Sequence, residues 1–172
     1  MICVGSVKEN LDVERRVSIT PETTKKLVDL NFSVFIEKNY AEHLGVTDKE
    51  YKDKGANLLN SAKEVLEKSK IILKVNSFKD DEFDLIKEKS ILVGQFDPFL
   101  NKKTINGLLK KGVKIFSLNL LPRITRAQSM DVLSSQANLA GYRAVIESVR
   151  EFDKAIPMMM TAAGTITPAK VL

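Results

Sequence analysis

The 172-residue chain contains one cysteine, one histidine and no tryptophan. A lone cysteine, Cys3, excludes a disulfide framework and any multi-cysteine zinc site. A lone histidine, His43, excludes a multi-histidine metal centre. It also restricts acid–base chemistry near neutral pH, where histidine is the usual choice. No window approaches the ~18 uninterrupted apolar residues that a spanning helix needs, so no direct membrane span is expected in this chain. No basic stretch, apolar run and small-residue cleavage site open it, so no export signal is expected. The eight glycines are scattered, and none forms the Gly-x-Gly-x-x-Gly turn that cradles a dinucleotide pyrophosphate. What is present is ordinary for a globular chain, with 44% hydrophobic and 28% charged residues, which excludes wholesale disorder. The net charge of +5 is modest. Runs such as Lys49–Lys54 mix both signs as a solvated surface does, which argues against a nucleic-acid partner.

Short apolar runs alternate with longer amphipathic segments. The runs read as strands over 1–4, 32–36, 70–75, 90–94 and 114–117. Between them, 21–30 reads as a helix capped by Thr20, with Pro21 at its first position and Glu22 in its first turn. Residues 61–68 place Ala62, Val65 and Leu66 on one face. Residues 100–111 place Ile105, Leu108 and Leu109 on one face, and Gly112 follows as a stop. Alternation of this kind predicts an α/β fold with a mainly parallel sheet and helices on both faces. A long helix is expected from Arg126 to about Lys154. The last residues, Ala169–Leu172, read as the start of a further strand, which suggests the N-terminal portion of a larger protein. The expected division is 1–125 as the first domain, 126–156 as a long interdomain helix, and 157–172 as linker and start of a second domain.

Three segments carry candidate chemistry. Arg15 and Arg16 precede the capped N-terminus at Thr20, a combination that suits a carboxylate or phosphate; two solvated arginines are the plainer reading. Lys74 ends a strand, and ligands of open parallel sheets bind beyond strand carboxyl ends. With Arg16 it would form an anion pocket, whereas a snorkelling lysine would only cover apolar surface. The richest segment runs from Pro122 to Asp131. From there Gln128, Asp131, Ser134 or Ser135, Asn138 and Tyr142 recur at helical spacing, as a polar stripe without Lys or Glu. Such a stripe suits a wall meeting the polar groups of a ligand or partner. Leu133, Ala137, Ala140, Gly141, Ala144 and Val145 are expected on the other side. Met158–Met160 reads as packing filler, Cys3 as a small core residue, and His43 as a surface residue.

The stretches Pro122–Asp131, Leu133–Val145 and Pro157–Lys170 resemble the alpha subunit of proton-translocating NAD(P) transhydrogenase. Glu14–Glu22 is similar to a motif shared by that subunit and the alanine dehydrogenases. The resemblance implies an oxidoreductase with two Rossmann-like domains that works as a homodimer and binds NAD(H). It implies a partner, the transhydrogenase beta subunit with the membrane domain, which carries NADP(H). Hydride would pass directly between the two nicotinamides, coupled to proton translocation. The subunit would be cytoplasmic, held at the inner face of the plasma membrane through its partners. Residue by residue, the resemblance makes Arg123, Gln128 and Asp131 the functional side chains. Cofactor contacts would come from Arg123, Ile124, Thr125, Arg126, Gln128, Ser129, Asp131 and Ser134.

Hydride transfer between two nicotinamides needs alignment and exclusion of water, not a general acid or base. The alternative is an amino-acid dehydrogenase of the alanine dehydrogenase type, in which Arg16 and Lys74 would hold the substrate carboxylate. That family places a histidine shortly after the strand at 91–93. Here Gly94–Pro98 has none. A third reading is a non-catalytic dimerisation and docking module, if the chain ends at Leu172.

Overall fold

The computed structural model describes residues 1–78 and 80–170. It comprises two compact units, Met1–Ala127 and Gln128–Leu172.

In the first unit, the strands are β1 (Ile2–Ser6), β2 (Phe32–Glu37), β3 (Asn57–Leu59), β4 (Ile71–Leu73), β5 (Ile91–Gly94) and β6 (Lys114–Ser117). The helices are α1 (Pro21–Asp29), α2 (Asp48–Asp53), α3 (Ala62–Lys68), α4 (Asp80–Phe83) and α5 (Lys102–Lys110). The strands lie side by side in the order β3-β2-β1-β4-β5-β6. Every pairing is parallel. The winding therefore reverses between β1 and β4.

Strand alternation sends side chains to two cores, one on each face of the sheet. Ile72 and Leu92 join Val65 and Leu66 of α3 and Leu108 of α5. Val4, Val34 and Ile36 join Tyr51 of α2, with Leu27 and Val28 of α1 against them. Helices thus cover both faces, as the alternation of the sequence requires.

Local signals set the helix ends. The Thr20 side chain accepts from the Thr23 N–H, and Pro21 opens α1. Ser61 caps α3 through the Glu64 N–H. Gly112, at φ 69°, ends the turn after α5. Two other glycines serve packing. A Cβ on Gly5 would stand 2.0 Å from Ser69 Oγ and 2.9 Å from a Val65 methyl, so α3 sits directly on β1 there. A Cβ on Gly94 would stand 2.2 Å from the Lys74 carbonyl oxygen.

Two elements of the first unit depart from expectation. β3 is three residues long, too short for a visible alternation. α2 lies inside the charge run read as plain surface. Its signal is a capping box, in which Thr47 accepts from the Glu50 N–H and the Glu50 carboxylate accepts from the Thr47 N–H.

The second unit carries α6 (Val132–Glu151) and an antiparallel hairpin of β7 (Met159–Thr161) and β8 (Gly164–Ile166). The long helix expected from Arg126 is broken. A 3-10 turn occupies Thr125–Met130, and α6 begins only after Asp131. Asp131 is extended (φ −76°, ψ 91°), and its side chain accepts from the Leu133 and Ser134 N–H groups. An N-cap that satisfies orphan helix donors ends the preceding turn. The residues expected as separate helix and linker, 126–156 and 157–172, fall on either side of different boundaries: all from Gln128 onward lie in one unit. Met158–Met160 is no packing filler in this chain. It leads into β7 and is exposed. Cys3 is only half-buried. Of the strand expected over 169–172, Ala169 and Lys170 are irregular, and Val171 and Leu172 lie outside the described residues.

Candidate functional site

Two groups of side chains carry chemistry, one in each unit. The first gathers where the sheet reverses, at the carboxyl ends of β1 and β4. Arg16 lies in the loop after β1, and Lys74 follows β4 directly. Each is matched to a carboxylate. Arg16 donates through Nε to Glu14 Oε1 at 2.9 Å and through Nη2 to Glu14 Oε2 at 2.7 Å. This bidentate pairing holds the Glu14 carboxyl below the usual carboxylate range. Lys74 Nζ donates to Glu82 Oε2 at 2.7 Å and stands 4.9 Å above the Phe78 ring. Its side chain is 1% exposed, against 43% for Arg16. Asn76 Nδ2 donates to Glu14 Oε2 at 3.2 Å. Glu9 Oε1 accepts from the Val75 N–H at 2.6 Å. Burial pushes the Glu9 carboxyl above its ordinary value, although that backbone donor and Lys74 oppose the shift. The structure thus brings the neighbourhoods of Arg16 and Lys74 together around shared acids. The sequence reading named the two cations and missed Glu9, Glu14, Asn76 and Glu82. The available signal was Glu14, two residues before Arg16.

A hydroxyl network supports this loop from below. The Tyr40 hydroxyl oxygen lies 2.6 Å from Ser6 Oγ and accepts from the Ser18 N–H at 3.0 Å. Ser18 Oγ donates to the Leu73 carbonyl at 3.1 Å. The loop between β1 and α1 is therefore tied to β1, to the turn after β2, and to β4. His43 Nε2 donates to the Arg15 carbonyl at 2.7 Å on the exposed side. It anchors the backbone of that loop.

The second group is the exposed segment that leads into α6. Arg123, Ile124, Thr125 and Arg126 close the first unit, and all are exposed. Within the 3-10 turn only Ala127 is buried. Gln128 and Ser129 are exposed and open the second unit. Asp131 Oδ1 accepts from the Leu133 and Ser134 N–H groups at 3.0 and 2.9 Å, and Oδ2 accepts from Ser134 Oγ at 2.6 Å. The carboxylate therefore caps the helix and fixes the Ser134 hydroxyl at once. Because the Ser134 proton points at Asp131, the lone pairs of its oxygen are left to accept.

The polar stripe needs correction in its geometry. Gln128 and Asp131 precede α6 and are not on its face. The Ser135–Asn138–Tyr142 face also carries Leu139, Ile146 and Val149 at helical spacing, all exposed. By the same spacing Val145 falls on this side, away from Ala137, Ala140, Gly141 and Ala144. Among the described residues, no cluster of histidine, cysteine and acids fits a metal ion, and no helix is long and apolar enough to cross a membrane.

The strand order and the placement of polar groups at its reversal define a doubly wound α/β domain of the Rossmann-like class. Similarity to known proteins narrows this class. Residues 5–140 match the family described as alanine dehydrogenase/PNT, N-terminal domain, and the chain belongs to that family. Within it, the chain corresponds to the N-terminal portion of the transhydrogenase alpha subunit. In Rhodospirillum rubrum that subunit is divided, and its first polypeptide is 43% identical to this chain over 170 residues, covering 96% of this chain and 44% of that one. A crystal structure of transhydrogenase from Sinorhizobium meliloti superposes with a TM-score of 0.88 at 41% identity, covering 97% of this chain and 50% of that one. An alanine dehydrogenase of Methanococcus maripaludis is 31% identical over 138 residues, covering 80% of this chain and 36% of that one. The chain spans less than half the length of these curated relatives.

Proposed function

We propose that this chain is the N-terminal portion of the NAD(H)-binding subunit of a proton-translocating transhydrogenase, and that the segment from Arg123 to Ser134 serves its nicotinamide end. The observation that carries this reading is the Asp131–Ser134 pair. A serine whose proton is committed to a carboxylate presents acceptor lone pairs, which suit the carboxamide N–H₂ of a nicotinamide. The bound cofactor supplies the hydride chemistry. The residues of this chain supply orientation: Ser134 accepts from the carboxamide, Arg123 donates to its oxygen, and Asp131 holds Ser134 and the helix start in place. Ile124, Thr125, Arg126 and Ser129 complete the polar and apolar wall of the segment. Gln128 reaches toward NADP(H) on the partner. No group here has to move a proton, which agrees with a transfer between two carriers that needs only alignment.

Two features support the assembly side of the reading. Similarity to a protein named as one piece of a subunit fits a complex with further subunits, here the beta subunit and its membrane domain. The exposed Leu139, Tyr142, Ile146 and Val149 of α6 fit a surface that the rest of the subunit and a second copy cover as a homodimer. Association with the inner face of the plasma membrane would then run through partners.

The amino-acid dehydrogenase reading has less behind it. Oxidising an amine to an imine requires proton transfer as well as hydride transfer. The histidine of this chain donates to the Arg15 backbone instead. Replacing Gln128→Asn in the assembled enzyme tests the proposal. Hydride transfer should slow while NADH affinity stays nearly intact; an unchanged transfer rate would remove Gln128 from the site.

A further inference from the structure

In open parallel sheets, a ligand seats beyond the carboxyl ends of the strands at which the winding reverses. In the first unit that place lies beyond β1 and β4, and side chains of the chain itself meet there. The Glu14 carboxylate accepts from Arg16 Nε, Arg16 Nη2, the Arg16 N–H and Asn76 Nδ2. A bidentate grip on a guanidinium is the contact that an incoming carboxylate would need to make. Lys74 offers no substitute, because it is buried against Glu82 and the Phe78 ring. Glu9 adds a further acid beside Val75.

We infer that Glu14 and Asn76 determine specificity at this crevice, closing it to small carboxylate ligands. Glu14 stands on Arg16 where the carboxylate of a ligand would stand. Asn76 binds the same Glu14 oxygen as Arg16 does and is a neutral amide, so it supplies no second cation to draw a ligand in. A free carboxylate entering here would have to displace Glu14 from Arg16 while facing Glu9. This inference concerns the first unit alone and does not depend on where a nucleotide binds.

Titration of oxalate and pyruvate, followed by calorimetry and by amide NMR shifts, tests it. The protein is compared with Glu14→Gln, Asn76→Lys and the double variant, and circular dichroism checks that each is folded. The unaltered protein should not saturate. The double variant should saturate, with affinity raised about tenfold or more, and Glu14→Gln alone should bind to an intermediate degree. Should the double variant fail to fold, the isosteric Glu14→Gln decides by the same readout. Saturation of the unaltered protein with equal affinity would overturn the inference, as would a folded Glu14→Gln or double variant with no gain. Nicotinamide binding is not read in this experiment, so its failure leaves the proposed function standing.

Discussion

Glu9 and Glu14 sit within one loop, yet the protein tunes them in opposite directions. Pairing with Arg16 lowers the Glu14 pKa below the ordinary 4.5. Its contribution to stability is therefore present above that value and is lost as pH falls through the lower, folded value. Burial raises the Glu9 pKa above 4.5. Its folded state favours the protonated form, so its contribution is present below 4.5 and is lost as pH rises through the folded value. Urea melts should then show Glu9→Gln more stable than the unaltered protein at about pH 7, with the gain gone by about pH 4. Equal differences at both values would refute this account of Glu9. The Lys74–Glu82 pair behaves otherwise. Breaking one side of a buried pair strands a charge, so Glu82→Gln should cost about 3–5 kcal/mol in the same melts. A loss near zero would mean that water reaches Lys74. The sequence made Arg16 and Lys74 visible as cations but could not show their partners. Glu82 is eight residues from Lys74, and its role depends on how the chain turns between them. Asp131 was legible as a polar residue near a helix start, but its capping role was hidden by the polar stripe that runs through it.

Among the elements, close packing and open packing make contrasting forecasts for glycine. Gly5→Ala pushes a methyl into Ser69 and Val65, and Gly94→Ala pushes one into the Lys74 carbonyl. Each should lower stability by about 1–3 kcal/mol, since α3 or β4 must shift. Gly107 lies within α5 with open space around it. There Gly107→Ala should raise stability by about 0.5–1 kcal/mol, by favouring the helix and reducing freedom in the unfolded chain. Thermal melts of the three variants check the pattern, and a destabilised Gly107→Ala would contradict it. The same scale explains what could be read from the sequence. Strands such as 32–36 and 114–117 stood out because apolar-rich runs of four or more residues were bounded by polar ones. β3 offered three. α2 was hidden because its charged surface resembles a loop, and only the Thr47–Glu50 spacing betrays it. The break before α6 was missed because periodicity continues through a 3-10 turn, while one extended residue ends a helix.

For the molecule as a whole, the first unit closes its own core on both faces of the sheet, whereas α6 carries no buried residue. A helix of 20 residues with an apolar stripe and no core of its own gains most of its stability from what packs on it. Function therefore falls in the segment between a self-contained domain and a helix made to be covered. The central claim is that this segment orients a nicotinamide for transfer to another nicotinamide and performs no acid–base step. The direct measurement follows two reactions of the full-length subunit assembled with its partner. One is NADPH-driven reduction of acetylpyridine NAD; the other is NADH formation from L-alanine. The account predicts the first reaction, slowed by Gln128→Asn, and no detectable second reaction. Efficient oxidation of alanine without reduction of the analogue would contradict it.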